Sequence, residues 1–405
     1  MADHQSGTQT ILMRVSGPDR PGVTAQLMAM LTDAGAELDD VEQVVIRRHL
    51  TLGLVVRIPA GTDMTRVHDL GEANGLSVEI EPVDTTPTER ALGTVVTVLA
   101  PTISPADLGA IAGAVAGTGG NIDRIIRLSS YPVTSYELTV LGVPIDELRP
   151  AVVAVSRQRG IDVALQPDGL GRRSQRLVVL DVDSTLIQNE VIDLLADEAG
   201  CGPEVAAITA RAMEGGADFE SALRERVRLL AGLDVAALDR ARARVELTPG
   251  ARTFVRTLNR MGFRVAIVSG GFTFVTDDLA ARLGVDHAVA NELEIIDGRL
   301  TGEVVGPVID RKRKAEVLAE VAAAEGIPLD QTVAIGDGAN DLDMLALAGL
   351  GIAFNAKPVV RDQADASVNV PFLDAILFVL GVRRSEVEDA DERDGLPPEE
   401  IRARA

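Results

Sequence analysis

The chain of 405 residues has no tryptophan, two tyrosines and eight phenylalanines, so aromatics make up only 2% of it. Its cores must be built from Val, Leu, Ile and Ala, and an apolar fraction of 46% supplies them amply. A single cysteine, Cys201, excludes an internal disulfide and fits a reducing compartment. Positive charge is short. The 39 Lys and Arg face 61 Asp and Glu, a net of −22. That balance argues against nucleic acid or an anionic membrane as partner, because phosphate surfaces are held by Lys and Arg. An anionic small molecule would need a locally positive pocket. No apolar run approaches a membrane span. Residues 1–9 are a loose polar start without a secretion signal. The expectation is a cytoplasmic protein of two or three domains.

Among what is present, one stretch stands out: Leu177-Val178-Val179-Leu180-Asp181-Val182-Asp183-Ser184-Thr185-Leu186. Four apolar residues read as a strand buried on both faces. Asp181 and Asp183 then sit just past its carboxyl end, where open α/β sheets place their chemistry. Two carboxylates that close call for a cation between them, and a hard divalent ion such as Mg²⁺ prefers oxygen ligands. A strand-end Asx turn is the plainer alternative.

Three further strand-like runs end on polar groups. Arg264–Val268 leads to Ser269-Gly270-Gly271, Thr332–Ile335 to Gly336-Asp337-Gly338-Ala339-Asn340-Asp341, and Leu350–Phe354 to Asn355-Ala356-Lys357. Helical patterns such as Ala251–Met261 and Lys314–Ala324 lie between them. Such alternation builds a parallel sheet with right-handed crossovers, which gathers all four strand ends along one edge. Asp181, Asp183 and Asp337 then offer metal ligands. Gly270 and Gly271 allow close approach of an anion, Ser269 adds a hydroxyl, and Lys314 adds a point charge. This set suits phosphoryl transfer, which is mostly positioning and charge neutralisation.

The N-terminal part reads as β-α-β-β-α-β twice. Gly35, Gly75 and Pro82 each recur 85 residues later, at Gly120, Gly160 and Pro167. Units of this order fold as an antiparallel sheet with two helices on one face. They resemble ACT domains, over residues 10–85 and 93–168. The resemblance implies amino-acid sensing and dimer formation, with a ligand at the loop after the first strand. In the first unit that loop holds Asp19, Arg20 and Gly22. In the second it spans Ala100–Asp107 and lacks the same string. Residues 169–175 read as a linker, 176–382 as the catalytic part, and 383–405 as a flexible charged tail.

The string Asp181-Val182-Asp183-Ser184-Thr185, followed by Ser269-Gly270, Lys314 and Gly336-Asp337-Gly338-Ala339-Asn340-Asp341, resembles the haloacid-dehalogenase-like phosphatases. That resemblance implies a Rossmann-like parallel core with a helical cap, here about 189–245. It implies Asp181 as nucleophile and Asp183 as acid and base. Ser269, Gly270, Lys314 and Asn340 would contact the phosphate, and Asp181, Asp183 and Asp337 would hold Mg²⁺, supported by Asp341. Asp183 must keep its carboxyl free for the proton, so its metal contact is expected through the backbone carbonyl. Within the cap, Glu190, Met213, Phe219 and Arg226 match phosphoserine phosphatases. Glu190 would meet an ammonium, Arg226 would clamp a carboxylate, and Met213 and Phe219 would exclude water. The implied reaction is hydrolysis of O-phospho-L-serine, the last step of serine biosynthesis, with serine as effector and a homodimer as assembly. Transfer of the phosphoryl group to an alcohol such as homoserine is one alternative. A non-catalytic amino-acid sensor is the other.

Overall fold

The computed structural model describes residues 7–83, 93–213 and 218–396. It divides into two compact units, residues 1–90 and 91–405. In the first, β1 (Thr8–Pro18), β2 (Glu37–Ile46), β3 (His49–Pro59) and β4 (Ser77–Pro82) form an antiparallel sheet in the order β2-β3-β1-β4. Strict alternation does the work. Ile11, Met13 and Val15 of β1 and Leu50, Leu52 and Leu54 of β3 point one way. They pack with Leu27 and Leu31 of helix Val23–Asp33 and Val67 of helix Thr65–Asn74.

The second unit begins with the same order: β5 (Thr94–Ala100), helix Pro105–Gly117, β6 (Asn121–Ser129), β7 (Thr134–Leu141), helix Ile145–Arg159 and β8 (Asp162–Pro167). Gly75 and Gly160 both close a helix in the left-handed conformation, at φ 69° and 65°. The other glycine landmark is displaced by one residue. Gly35 (φ 71°) is matched in conformation by Gly119 (φ 82°), because the second unit's first helix, ending at Gly117, stops one residue earlier in the repeat than the first unit's, ending at Asp33. Gly120 is needed for space instead, since a Cβ there would lie 2.7 Å from Val143 Cγ1.

The catalytic strands follow: β9 (Leu177–Leu180), β10 (Arg264–Phe272), β11 (His287–Ile296), β12 (Arg299–Val305), β13 (Thr332–Gly336), β14 (Leu350–Phe354) and β15 (Ala366–Val368). The run from β10 to β15 through β9 is parallel, with β9 between β10 and β13. β9, β13 and β14 are buried along their whole length, as expected of strands covered on both faces. β11 and β12 form an antiparallel hairpin, turned at Asp297 and Gly298 with φ 50° and 74°. Among the described residues no helix is long and apolar enough to cross a membrane.

Two readings of the sequence are corrected. First, residues 169–175 do not separate two bodies. The second ACT sheet continues the catalytic one into a single sheet of 11 strands, joined where Ala164 of β8 meets Ala366 of β15. Asp162 accepts hydrogen bonds from Asn369 N and Nδ2, both at 2.6 Å, and Gln166 Nε2 donates to the Val379 carbonyl at 2.8 Å. The intervening segment is a strap with a helical turn, Leu170–Arg173, whose Arg172 donates to the Glu137 carboxylate at 2.6 Å. Its glycines and arginines imitate a solvated linker because the partners are remote in sequence. Second, the tail is not flexible over its first part: residues Arg384–Arg393 form a helix. Val387 is its buried apolar residue, and charge does the rest. Arg384 pairs with Asp374 at 2.9 Å, while Asp391 accepts from Arg256 at 2.7 Å and Arg260 at 2.6 Å. A helix docked by ion pairs leaves no apolar periodicity to read. Residues 397–405 lie outside the described part.

Candidate active site

The parallel register brings the functional groups together. Leu180 stands opposite Ile267 of β10 and Ile335 of β13. The next residues outward are Asp181 on one strand, Val268 and Ser269 on the second, and Gly336 and Asp337 on the third. Asp181 N donates to the Ile335 carbonyl at 2.9 Å, fixing the turn that follows β9. Ser184 in that turn has φ 59°. Ser269, Gly270 and Gly271 lie where the β10–β11 register shifts between Val268 and Phe272, an irregularity that re-aims side chains.

Lys314, fully buried near the start of helix Arg311–Ala324, bridges two carboxylates. Its Nζ donates to Asp181 Oδ1 at 2.6 Å and to Asp341 Oδ1 at 2.7 Å. Asp341 Oδ2 also accepts from Gly338 N at 3.0 Å. Gly336 makes room for this carboxylate, since a Cβ there would lie 2.4 Å from Asp341 Cγ. Asp183 faces the other way. Its Oδ2 accepts from Ser269 Oγ at 2.7 Å and its Oδ1 from Val191 N at 2.8 Å. Ser269 Oγ in turn accepts from Gly271 N at 2.7 Å. Thr185 Oγ1 reaches Asp337 Oδ1 at 3.4 Å. Asn340 sits half-buried in the short turn Ala339–Asp341.

Carboxylate oxygens of Asp181, Asp337 and Asp341 all lie within 4.8 Å of one another. The side-chain cluster thus includes Asp341, while the Asp183 carboxylate stands beside it. Charge does not balance here. Burial and the Asp341 charge push the Asp181 carboxyl well up, against the pull of Lys314. Burial and Asp341 likewise raise Asp337 to about 6. Burial would lower Lys314, but Asp181 and Asp341 outweigh it and hold the ammonium charged. Three carboxylates share one ammonium, and their hard oxygens are the donor set that suits a divalent cation such as Mg²⁺.

The cap is built from helices Val191–Ala199, Gly202–Met213, Phe219–Arg228 and Ala236–Ala243. The Phe219 ring lies against Gly270, where an added Cβ would stand 2.9 Å from Cζ. Glu190 keeps access to solvent and bonds to Ser184 Oγ at 2.8 Å. Desolvation, then the charge of Asp183, pushes its carboxyl up to about 7. Arg226 is half-buried. Its hydrogen bonds run to Ala222 O at 3.3 Å and Thr209 Oγ1 at 3.4 Å, and among the described residues it has no ion pair. Burial lowers its pKa, against the charges of Glu190, Asp193 and Asp183. An acid and a guanidinium, neither held in an ion pair among the described residues, therefore stand beside Asp183. Met213 ends its helix, and its side chain lies outside the described residues, as do Glu214 and Gly215.

Sequence reasoning missed Asn291 on β11. It is buried, donates from Nδ2 to the Gly270 carbonyl at 2.8 Å and the Gly271 carbonyl at 3.2 Å, and accepts from Ile309 N at 2.9 Å. The available signal was an amide interrupting the strand His-Ala-Val-Ala-Asn at residues 287–291. In the first ACT unit, Asp19, Arg20 and Gly22 occupy the loop after β1, where Asp19 N donates to the Arg48 carbonyl at 2.8 Å and Gly22 has φ 90°. The equivalent loop of the second unit ends in a helix cap. Asp107 accepts from Ser104 N and Oγ at 2.9 and 2.6 Å, a capping box.

Residues 178–346 match the family model of haloacid dehalogenase-like hydrolases, and residues 9–81 and 93–166 match ACT domain models. The chain is 52% identical over 395 residues to a phosphoserine phosphatase of Streptomyces coelicolor, covering 96% of each. It is 49% identical over 393 residues to a phosphoserine phosphatase of Mycobacterium tuberculosis, covering 95% of this chain and 96% of that one. A solved HAD family hydrolase from Salmonella enterica serovar Typhi superposes with a TM-score of 0.63 at 31% identity, over 71% of this chain and 98% of that one.

Proposed function

The chain belongs to the haloacid dehalogenase-like hydrolases, in the group that carries two ACT domains, and we propose that it hydrolyses O-phospho-L-serine to L-serine and phosphate through an aspartyl-phosphate. The observation that carries the substrate is the pair of unmatched charges. Neither Glu190 nor Arg226 is in an ion pair among the described residues, although each lies within reach of the other's charge. Phosphoserine offers an ammonium to the first and a carboxylate to the second, beside a phosphate for the seat formed by Ser269, Gly270, Lys314 and Asn340.

Asp181 attacks phosphorus. An Oδ–P bond forms as the bond from phosphorus to the serine oxygen breaks. Lys314, 2.6 Å from Asp181, lies where negative charge gathers. Asp183 delivers a proton to the departing serine oxygen, then takes one from the water that opens the aspartyl-phosphate. Ser269 and Val191 N hold that carboxyl in place from two sides. Phe219 closes the mouth over Gly270 and keeps bulk water out. Asp181, Asp337 and Asp341 would hold Mg²⁺, with Asp183 reaching it through its carbonyl. Bound there, the ion would neutralise charge on the transferring phosphoryl group.

Phosphate release from phosphoserine, with Mg²⁺ and after its chelation, tests the reading. Asp181→Asn should abolish turnover with the fold intact, and substantial residual activity would refute the nucleophile. Serine feedback through the ACT modules is the regulatory part of the proposal. Arg20→Ala in the full chain should weaken inhibition by serine, and an unchanged inhibition curve removes that loop from the mechanism. We also propose a homodimer and a cytoplasmic location.

A further inference from the structure

Where the second ACT module meets the catalytic sheet, the strap borders a half-open cavity of about 310 Å³. Gln175 lines it. This residue is 95% buried, yet among the described residues its side-chain amide has no hydrogen-bond partner. Its atoms are also not among the buried atoms sealed from solvent, so the amide opens into the cavity. Arg149, on helix Ile145–Arg159, lines the same space. Its Nη1 and Nη2 donate to the carbonyls of Asp365 at 2.8 Å and Leu165 at 3.3 Å, and it has no ion pair among the described residues. Asp168 and Asp330 stand exposed at the edge, and neither side chain has a hydrogen bond or ion pair among the described residues.

We propose that this cavity binds a small amino-acid zwitterion carrying a hydroxyl, with L-serine as the ligand. The carboxylate meets Arg149, the ammonium meets Asp168 or Asp330, and the hydroxyl meets the Gln175 amide. Each group supplies what its partner lacks. The choice of serine rests on the proposed reaction, whose product it is. The chemistry of the lining stands without that reading. Its lining includes neither Asp19 nor Arg20.

Gly171 gives a clean test, because it lines the cavity and an added Cβ there meets nothing within 4 Å. Gly171→Phe places a bulky ring on the cavity lining with no clash at its Cβ. L-serine is titrated into the full chain by calorimetry. The variant should bind one equivalent fewer per chain than wild type, with phosphoserine turnover within about twofold. Gln175→Met should bind serine about tenfold more weakly while leaving L-alanine binding unchanged, the cost of one hydrogen bond. Equal stoichiometry and affinity in Gly171→Phe would overturn the site. If the wild-type chain releases no phosphate from phosphoserine, the catalytic reading falls, and the comparison of wild type with Gly171→Phe still decides the cavity.

Discussion

Replacing Lys314 by methionine keeps the length of a fully buried side chain and removes its charge. Two contacts vanish, at 2.6 Å to Asp181 and 2.7 Å to Asp341. Charge-assisted hydrogen bonds contribute about 1.5–3 kcal/mol each, so the pair represents roughly 3–6 kcal/mol. At about 1.4 kcal/mol per decade, turnover should fall roughly 10²–10⁴-fold if both contacts serve the reacting state. The loss belongs mainly in kcat, because the ammonium sits on the carboxylate proposed to attack. A second signature separates this from simple damage. Without the ammonium, Asp181, Asp337 and Asp341 face one another with no positive charge among them. Mg²⁺ should then bind more tightly than in wild type, and the melting temperature should fall without Mg²⁺ and recover with it. Steady-state kinetics, Mg²⁺ titration and thermal melts read all three. Activity within about tenfold of wild type, or weaker Mg²⁺ binding in a folded variant, would refute the reasoning.

Three more outcomes are expected. Arg226→Ala should raise KM for phosphoserine by roughly 10–100-fold, one charge-assisted contact, and leave phosphoethanolamine, which lacks the carboxylate, unaffected. Equal losses on both substrates would remove the clamp. Arg384→Met leaves Asp374 buried without its cation, costing about 3–5 kcal/mol. At about 2–4 °C per kcal/mol the melting temperature should drop by roughly 6–20 °C, and a drop under about 2 °C would contradict the pairing. For Asp162, burial outweighs the Asn369 donors and holds the carboxyl above its usual 3.8. The folded state then binds this proton more tightly than the unfolded one. Its contribution to stability is present at low pH and is lost as pH rises through the raised value. The unfolding free energy of wild type relative to Asp162→Asn should therefore grow as pH falls from 7 toward 4. A difference independent of pH would rule this out.

What the sequence by itself determined was local and periodic. The run Leu177–Leu180 announced a buried strand. The polar ends of β9, β10 and β13 announced one catalytic edge, because parallel strands with right-handed crossovers leave no other arrangement. The landmarks 85 residues apart announced two modules. Tertiary structure decided what depends on partners far along the chain. Asn291 shapes the Gly270-Gly271 seat from a neighbouring strand, and no spacing rule connects positions 20 residues apart. The orientation of Asp341 toward Lys314, rather than toward solvent, came from packing against Gly336. The tail helix and the strap of Arg172 hold by ion pairs and carbonyls, which carry no periodic signature. The same holds for the fusion of the second ACT sheet with the catalytic sheet. Backbone hydrogen bonding at a sheet edge is available to almost any sequence, so only the docked side chains, Asp162 on Asn369 and Gln166 on Val379, selected that partner.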